Sequence, residues 1–312
     1  MLPINKIFTA TIISLLGLLN TSAQNPDSLL LKNFRPKSIY KIPVTRIEKA
    51  KYPAIDMHSH PYADSPEAIQ RWLNIMDRFN IEKTMILTYS TGAAFDSLYK
   101  VYSAYGNRFE LWCGFDYTGY NEPGWSEKAV KELVRCYKVG AKGVGELGDK
   151  GSGELYSMPV PAVGMHIDDP RMKPLLQKCG ELKMPVSIHV AEPMWMYEPM
   201  DSTNDGLMNA YTWKVDQSKP GLLSHQQLVQ TLENAVRDNP GTTFIACHLA
   251  NCEYDLGILG RLLKKYKNLY ADIAAAMQKR LLFPVICFPF LSGTRTSSCM
   301  VPIWVLILPC MK

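Results

Sequence analysis

The sequence predicts an α/β chain of the (β/α)8 TIM-type barrel class, incomplete at its eighth strand. Three observations carry this. Apolar, strand-length runs alternate with helical patterns from residue 54 to residue 274, and such alternation builds a parallel sheet with helices outside. The strand-like runs number seven, one short of a closed barrel. Four of the six histidines fall at the C-terminal ends of those runs, where barrels of this class assemble their chemistry. A doubly wound open sheet is the alternative, but no glycine-rich dinucleotide fingerprint follows the first strand.

Residues 1–23 read as an export signal. Lys6 supplies a positive start, residues 8–19 are mostly apolar, and Thr21-Ser22-Ala23 offers small residues for cleavage before Gln24. The apolar run is short for a membrane span, so an uncleaved anchor is the weaker reading. The expected location is periplasmic or extracellular, with no membrane association beyond the signal. Residues 24–50, polar with scattered prolines, form an irregular lead-in. The barrel is assigned to 51–275. Its strands are predicted at 54–58, 84–89, 110–115, 141–147, 185–190, 243–249 and 269–274. Helical patterns occupy 65–79, 127–139, 174–182, 224–239 and 256–266.

Composition narrows the partners. Hydrophobic content of 47% and charged content of 20% describe an ordinary globular chain. The net charge of +5 is spread without basic blocks, which speaks against nucleic acid. A small-molecule substrate is expected, and assembly into a homo-oligomer is left open. The eight cysteines show no CxxC pair. Cys113 and Cys247, within apolar strand-like runs, are expected to be buried free thiols.

The most informative string is Asp56-Met57-His58-Ser59-His60. Side chains alternate along a strand, so Asp56, His58 and His60 share a face. The two histidines are then about 6.5 Å apart at Cα, close enough to reach one ion. Polar residues closing a strand are the bland reading. Glu146 lies near the end of the fourth strand, His189 ends the fifth and His248 the sixth. His166 and His225, in loop or helix-start contexts, are expected on the surface or supporting the site from outside. The stretch 191–221 carries Trp195, Tyr197, Trp213 and several methionines. As a long loop on the active face it is expected to line a pocket, with Trp195 and Trp213 touching substrate.

These residues resemble the amidohydrolase superfamily, in its amidohydrolase-related branch, over about 51–274. The match rests on His58-Ser59-His60, single histidines at His189 and His248, Gly143-Val144-Gly145-Glu146-Leu147, and Met165-His166-Ile167-Asp168-Asp169-Pro170. The resemblance implies a divalent metal, zinc first and manganese or another ion as the alternative. It would be held by His58, His60 and His189 and completed by an aspartate on strand eight. Glu146 would bridge or cap the metal, or else serve as a structural or substrate-facing acid. Lys142 is the weaker candidate there. His248 would be general acid/base, or a further metal ligand. Asp56 would orient a ligand histidine. The implied reaction is hydrolysis of a small C–N or C–O substrate by metal-activated water. Non-oxidative decarboxylation of a small carboxylate is the alternative, and a non-catalytic ligand-binding barrel stands outside both.

The chain departs from this pattern after Ala275. Residues 276–312 carry apolar runs with little charge and no strand-eight aspartate. A reading-frame slip accounts for this. Residues 294–309, back-translated and read one base earlier, give Tyr-Gln-Asp-Leu-Ile-Leu-Tyr-Gly-Thr-Asp-Met-Gly-Phe-Asp-Pro. This resembles the family's strand-eight segment. Codon degeneracy leaves its Thr and Asp free, whereas Met300-Val301 and Trp304-Val305 force the two glycines. On this reading the chain as written is a fragment with an aberrant tail and is inactive. A divergent natural tail is the alternative.

Overall fold

The computed structural model describes residues 25–37, 39, 41, 48–156, 158–210, 215 and 221–274. The predicted signal, Trp213 and the tail 276–312 lie outside the described residues. The chain divides into two units, residues 1–46 and residues 47–312. The first contributes two exposed single turns, Pro26–Ser28 and Leu31–Asn33.

Among its described residues the second unit carries seven parallel strands joined through helices. The strands are β1 (Ala54–Ser59), β2 (Ile81–Leu87), β3 (Phe109–Trp112), β4 (Val144–Asp149), β7 (Val186–Val190), β8 (Phe244–Ala246) and β9 (Leu269–Ala271). Two short strands, β5 (Glu154–Tyr156) and β6 (Ala162–Val163), form an antiparallel ribbon against the end of β4. Helix α1 (Pro66–Phe79) follows β1, and α2 (Gly92–Ser103) follows β2. Then come α3 (Trp125–Val139), α4 (Lys173–Glu181), α5 (His225–Asp238) and α6 (Leu256–Lys265). Strands β1, β2 and β3 pair in parallel, as do β4, β7, β8 and β9. A parallel bridge from Cys113 to Val144 links the two sets. The resulting order follows the chain, as in a (β/α)8 barrel.

Helix limits follow local chemistry. Ser65 caps α1 by accepting the Ala68 N–H, Pro66 opens it, and left-handed Asn80 ends it. Ile69, Leu73 and Met76 recur at helical spacing and are buried. Each stabilises the fold by about 1.5–3 kcal/mol. Ser224 and Gln227 close a reciprocal capping box on α5. The sheet is curled. Leu87, Trp112 and Ile245 pack with Met57 and Tyr270, so five strands fill one interior cluster. Helix α2 and the β5–β6 ribbon are additions to the sequence reading. Among the described residues no helix is long and apolar enough to cross a membrane.

One irregularity positions the site. Val144 pairs with Val186 but Leu147 with Ile188, so β4 gains one residue at Gly145-Glu146. A bulge of this kind re-aims a side chain. Glu146 is therefore mid-strand rather than near the strand end. Its side chain turns inward because the bulge, not the strand's end, frees it. A Cβ on Gly145 would lie 2.8 Å from the Ser187 Cβ and 3.1 Å from its carbonyl oxygen. Gly145→Ala is expected to cost about 1–3 kcal/mol through overpacking. A urea midpoint equal to wild type would show that this close approach is not required.

Candidate functional site

Four imidazoles converge on one carboxylate. His58 lies within β1 and His60 just beyond it, and strand alternation sends both rings the same way. His189 comes from β7. His248 comes from the turn after β8, where His248, Leu249, Ala250 and Asn251 all hold left-handed backbone, φ 50–57°. Such conformations cost non-glycine residues about 1–2 kcal/mol each, and strain of this kind concentrates at functional sites. Glu146 Oε2 lies 3.5 Å from His58 Nε2 and 3.4 Å from His60 Nε2. Its Oε1 lies 3.1 Å from His189 Nδ1 and 3.2 Å from His248 Nε2.

The far side of each ring fixes its tautomer. His58 Nδ1–H donates to Asp272 Oδ2 at 2.8 Å. His60 Nδ1–H faces the Leu87 carbonyl at 3.0 Å and Tyr89 Oη at 2.8 Å, and the Tyr89 ring stacks on it. His248 Nδ1–H donates to the Ala274 carbonyl at 2.6 Å. His189 is reversed, with Nε2 facing Glu192 at 3.4 Å. When a ring is neutral with its proton placed outward, its inner nitrogen presents a lone pair to the Glu146 carboxylate.

Lone pairs facing a carboxylate repel unless positive charge stands between them. Burial opposes ionisation of Glu146, yet the four rings outweigh it and hold its carboxyl well below the usual range. Burial also opposes charge on His58, and Asp272 reverses the balance and raises it. For His189, burial is outweighed by Glu146 and Glu192, and the group rises to about 9. The site thus draws in positive charge, as protons or as a cation. Donor chemistry fits a divalent metal: neutral imidazoles with outward protons tied to acceptors, plus a carboxylate. Ligand atoms of His58, Glu146 and His248 lie within 4.8 Å of one another, as do those of His58, Cys247 and Asp272.

The structure therefore brings together His58, His60, His189, His248 and Glu146. Asp56, partly buried, lies two residues before His58 on β1. Its Oδ1 accepts the His58 N–H at 3.1 Å, and burial pushes its carboxyl up to about 6. Trp195 packs in a buried cluster with Met196, Tyr197 and Val215. Cys113 and Cys247 are buried free thiols, as are Cys136, Cys179 and Cys252. Of the two remaining histidines, His166 is partly exposed and His225 is buried. His225 is 2% exposed and bonds the Asn251 carbonyl at 2.9 Å. It lies inside because it opens α5 against the left-handed turn.

Sequence reasoning passed over Asp272, Tyr89, Glu192 and Asn251. Asp272 directly follows β9, at 2% exposure, and a carboxylate at a barrel strand end was a readable signal. Its Oδ1 also accepts the His248 and Ala274 N–H groups at 2.8 and 3.0 Å. Asn251 had no comparable sign, since only the left-handed turn brings it to His189.

A second histidine–carboxylate pair braces the loop after β4. His166 Nδ1 lies 2.9 and 3.0 Å from the two oxygens of fully buried Asp149. The bond to Asp149 raises the His166 pKa, and burial opposes it. A raised folded-state pKa gives stability that is full below the unfolded value, about 6.5, and lost as pH rises through the folded value. Wild type should exceed His166→Gln in stability by more at pH 6 than at pH 9. Urea titrations of both proteins at both pH values check this, and a pH-independent difference would refute it.

The amidohydrolase family model (Amidohydro_2) matches residues 117–300. The chain belongs to this family of the amidohydrolase superfamily, an enzyme family that uses divalent metals. No curated protein matches. Among solved structures, a Staphylococcus aureus chain with an amidohydrolase designation aligns at TM-score 0.50 and 14% identity, covering 78% of this chain and 84% of that one. That likeness concerns the fold. Two others align less well. A Rhizobium 2,6-dihydroxybenzoate decarboxylase gives TM-score 0.49 and 13% identity, over 79% and 84% of the two chains. A manganese-bound 5-carboxyvanillate decarboxylase from Novosphingobium aromaticivorans gives 0.47 and 15%, over 79% and 85%.

Proposed function

We propose that this chain is a metal-dependent hydrolase of a small C–N or C–O bonded substrate. The carrying observation is that four inward imidazole nitrogens face one buried carboxylate at 3.1–3.5 Å. His58, His60, His189 and Glu146 would hold the ion, with zinc first and manganese second. When bound, such an ion lowers the pKa of water to about 7 and polarises a carbonyl. His248 Nε2 faces the same centre, its other nitrogen tied to Ala274, and so is placed to hold and pass a proton. Asp56 steadies the β1 backbone at His58. Trp195 and Trp213 are proposed to line the substrate pocket.

The test, made with the strand-eight frame restored, pairs metal analysis with turnover of amide, ester and lactone panels and of aromatic carboxylates. Hydrolysis dependent on one or two ions per chain supports the reading. Release of carbon dioxide without hydrolysis would replace it with the decarboxylase reading. Absence of metal would leave a ligand-binding barrel.

Export through residues 1–23 and a frame slip after Ala275 are proposed with it. The second is tested by the coding DNA around codons 274–277. Restoring one base there should yield the strand-eight aspartate and a gain in turnover over the chain as written.

A further inference from the structure

His189 differs from the other three rings in presenting Nδ1, not Nε2, to Glu146. For Nδ1 to serve as a metal ligand, His189 has to carry its proton on Nε2, the tautomer opposite to its neighbours. Something has to select that tautomer, and the group facing Nε2 is Glu192 Oε2 at 3.4 Å. Glu192 is 8% exposed, so its charge needs a partner, and Lys150 Nζ meets its other oxygen.

The backbone is shaped to make this contact. Ala191 holds a left-handed conformation, φ 58°, which folds the chain back so that residue 192 returns to residue 189. The turn is pinned on both sides. The Ala191 N–H donates to the Asp149 carbonyl at 2.9 Å, and the Glu192 N–H donates to Tyr197 Oη at 3.1 Å. Asp149 pairs with Val190 across β4 and β7, so Lys150 and Glu192 leave adjacent strand ends together. Asn251 Nδ2 reaches the same His189 nitrogen at 3.5 Å but donates to the Val190 and Ala191 carbonyls at 3.3 and 3.2 Å. It holds the turn and leaves Glu192 as the acceptor.

We propose that Glu192, held by Lys150, is a positioning residue that locks His189 in the Nε2–H tautomer and aims Nδ1 at the metal position. The inference rests on the metal reading above. Partners of ligand histidines commonly control 10–100-fold in metal affinity.

The experiment measures zinc and manganese affinity by chelator competition in the full chain, for wild type and for His189→Ala, Glu192→Ala, Glu192→Gln, Glu192→Asp and Lys150→Met. Ring 15N shifts of His189 are recorded beside them. Expected are near-complete loss of affinity in H189A, a 10–100-fold loss in E192A and E192Q, partial rescue in E192D and a smaller loss in K150M. The Nε2–H signature of wild type should give way to mixed tautomers in E192A. Wild-type affinity and tautomer in folded E192A and E192Q would overturn the proposal while H189A still loses metal. An H189A that binds as wild type does would instead overturn the metal reading itself.

Discussion

His58→Ala should abolish stoichiometric metal. His58 is one of three rings whose Nδ1–H is bound outward and whose Nε2 faces Glu146. Alanine removes a donor from a set that a catalytic metal site of this type needs at about three protein ligands. It also leaves Asp272 without the imidazole that offsets its burial. Bound divalent ion, measured by elemental analysis after gel filtration, should fall to about a tenth of wild type or less. Turnover, measured with the strand-eight frame restored, should fall by at least about 10²-fold, because on the hydrolase reading proposed above metal-activated water would supply the nucleophile. Unchanged metal content in a folded H58A protein would sink the ligand assignment.

Asp272→Ala is expected to have the largest effect on stability. The carboxylate accepts the His58 ring N–H and the backbone N–H groups of His248 and Ala274, all in a buried setting. Truncation orphans these donors, at about 1–3 kcal/mol for each that water does not reach. A total loss of about 2–5 kcal/mol is expected in urea unfolding. Asp272→Asn keeps an acceptor for the backbone groups and should lose less. Both should weaken metal by about 10–100-fold, since neither holds the His58 tautomer by charge. If D272A unfolds at the wild-type midpoint, the turn after β8 is held by other contacts.

Which residues converge was readable because barrel strands bring their C-terminal ends together. Strand and helix periods could be counted, and alternation put His58 and His60 on one side before any fold was known. His189 and His248 stood out as polar residues closing apolar runs. Glu146 was legible as an acid in the fourth strand, but its inward aim was not. That depends on a bulge opposite Ser187, a pairing between segments about 40 residues apart.

The sequence by itself determined the alternating elements, the barrel class and the five residues that meet at the centre. Periodicity and burial are local properties of the chain, and each run carries its own. Tertiary structure alone decided how the five are held. It set Asp272 behind His58, Tyr89 and the Leu87 carbonyl behind His60, and the Ala274 carbonyl behind His248. It folded Glu192 back onto His189 through a left-handed Ala191. A histidine's tautomer is chosen by the acceptor on its far side, and here three of the four rings find that acceptor on another strand or loop. Curling the sheet therefore converts four separate histidines into one inward-facing donor set.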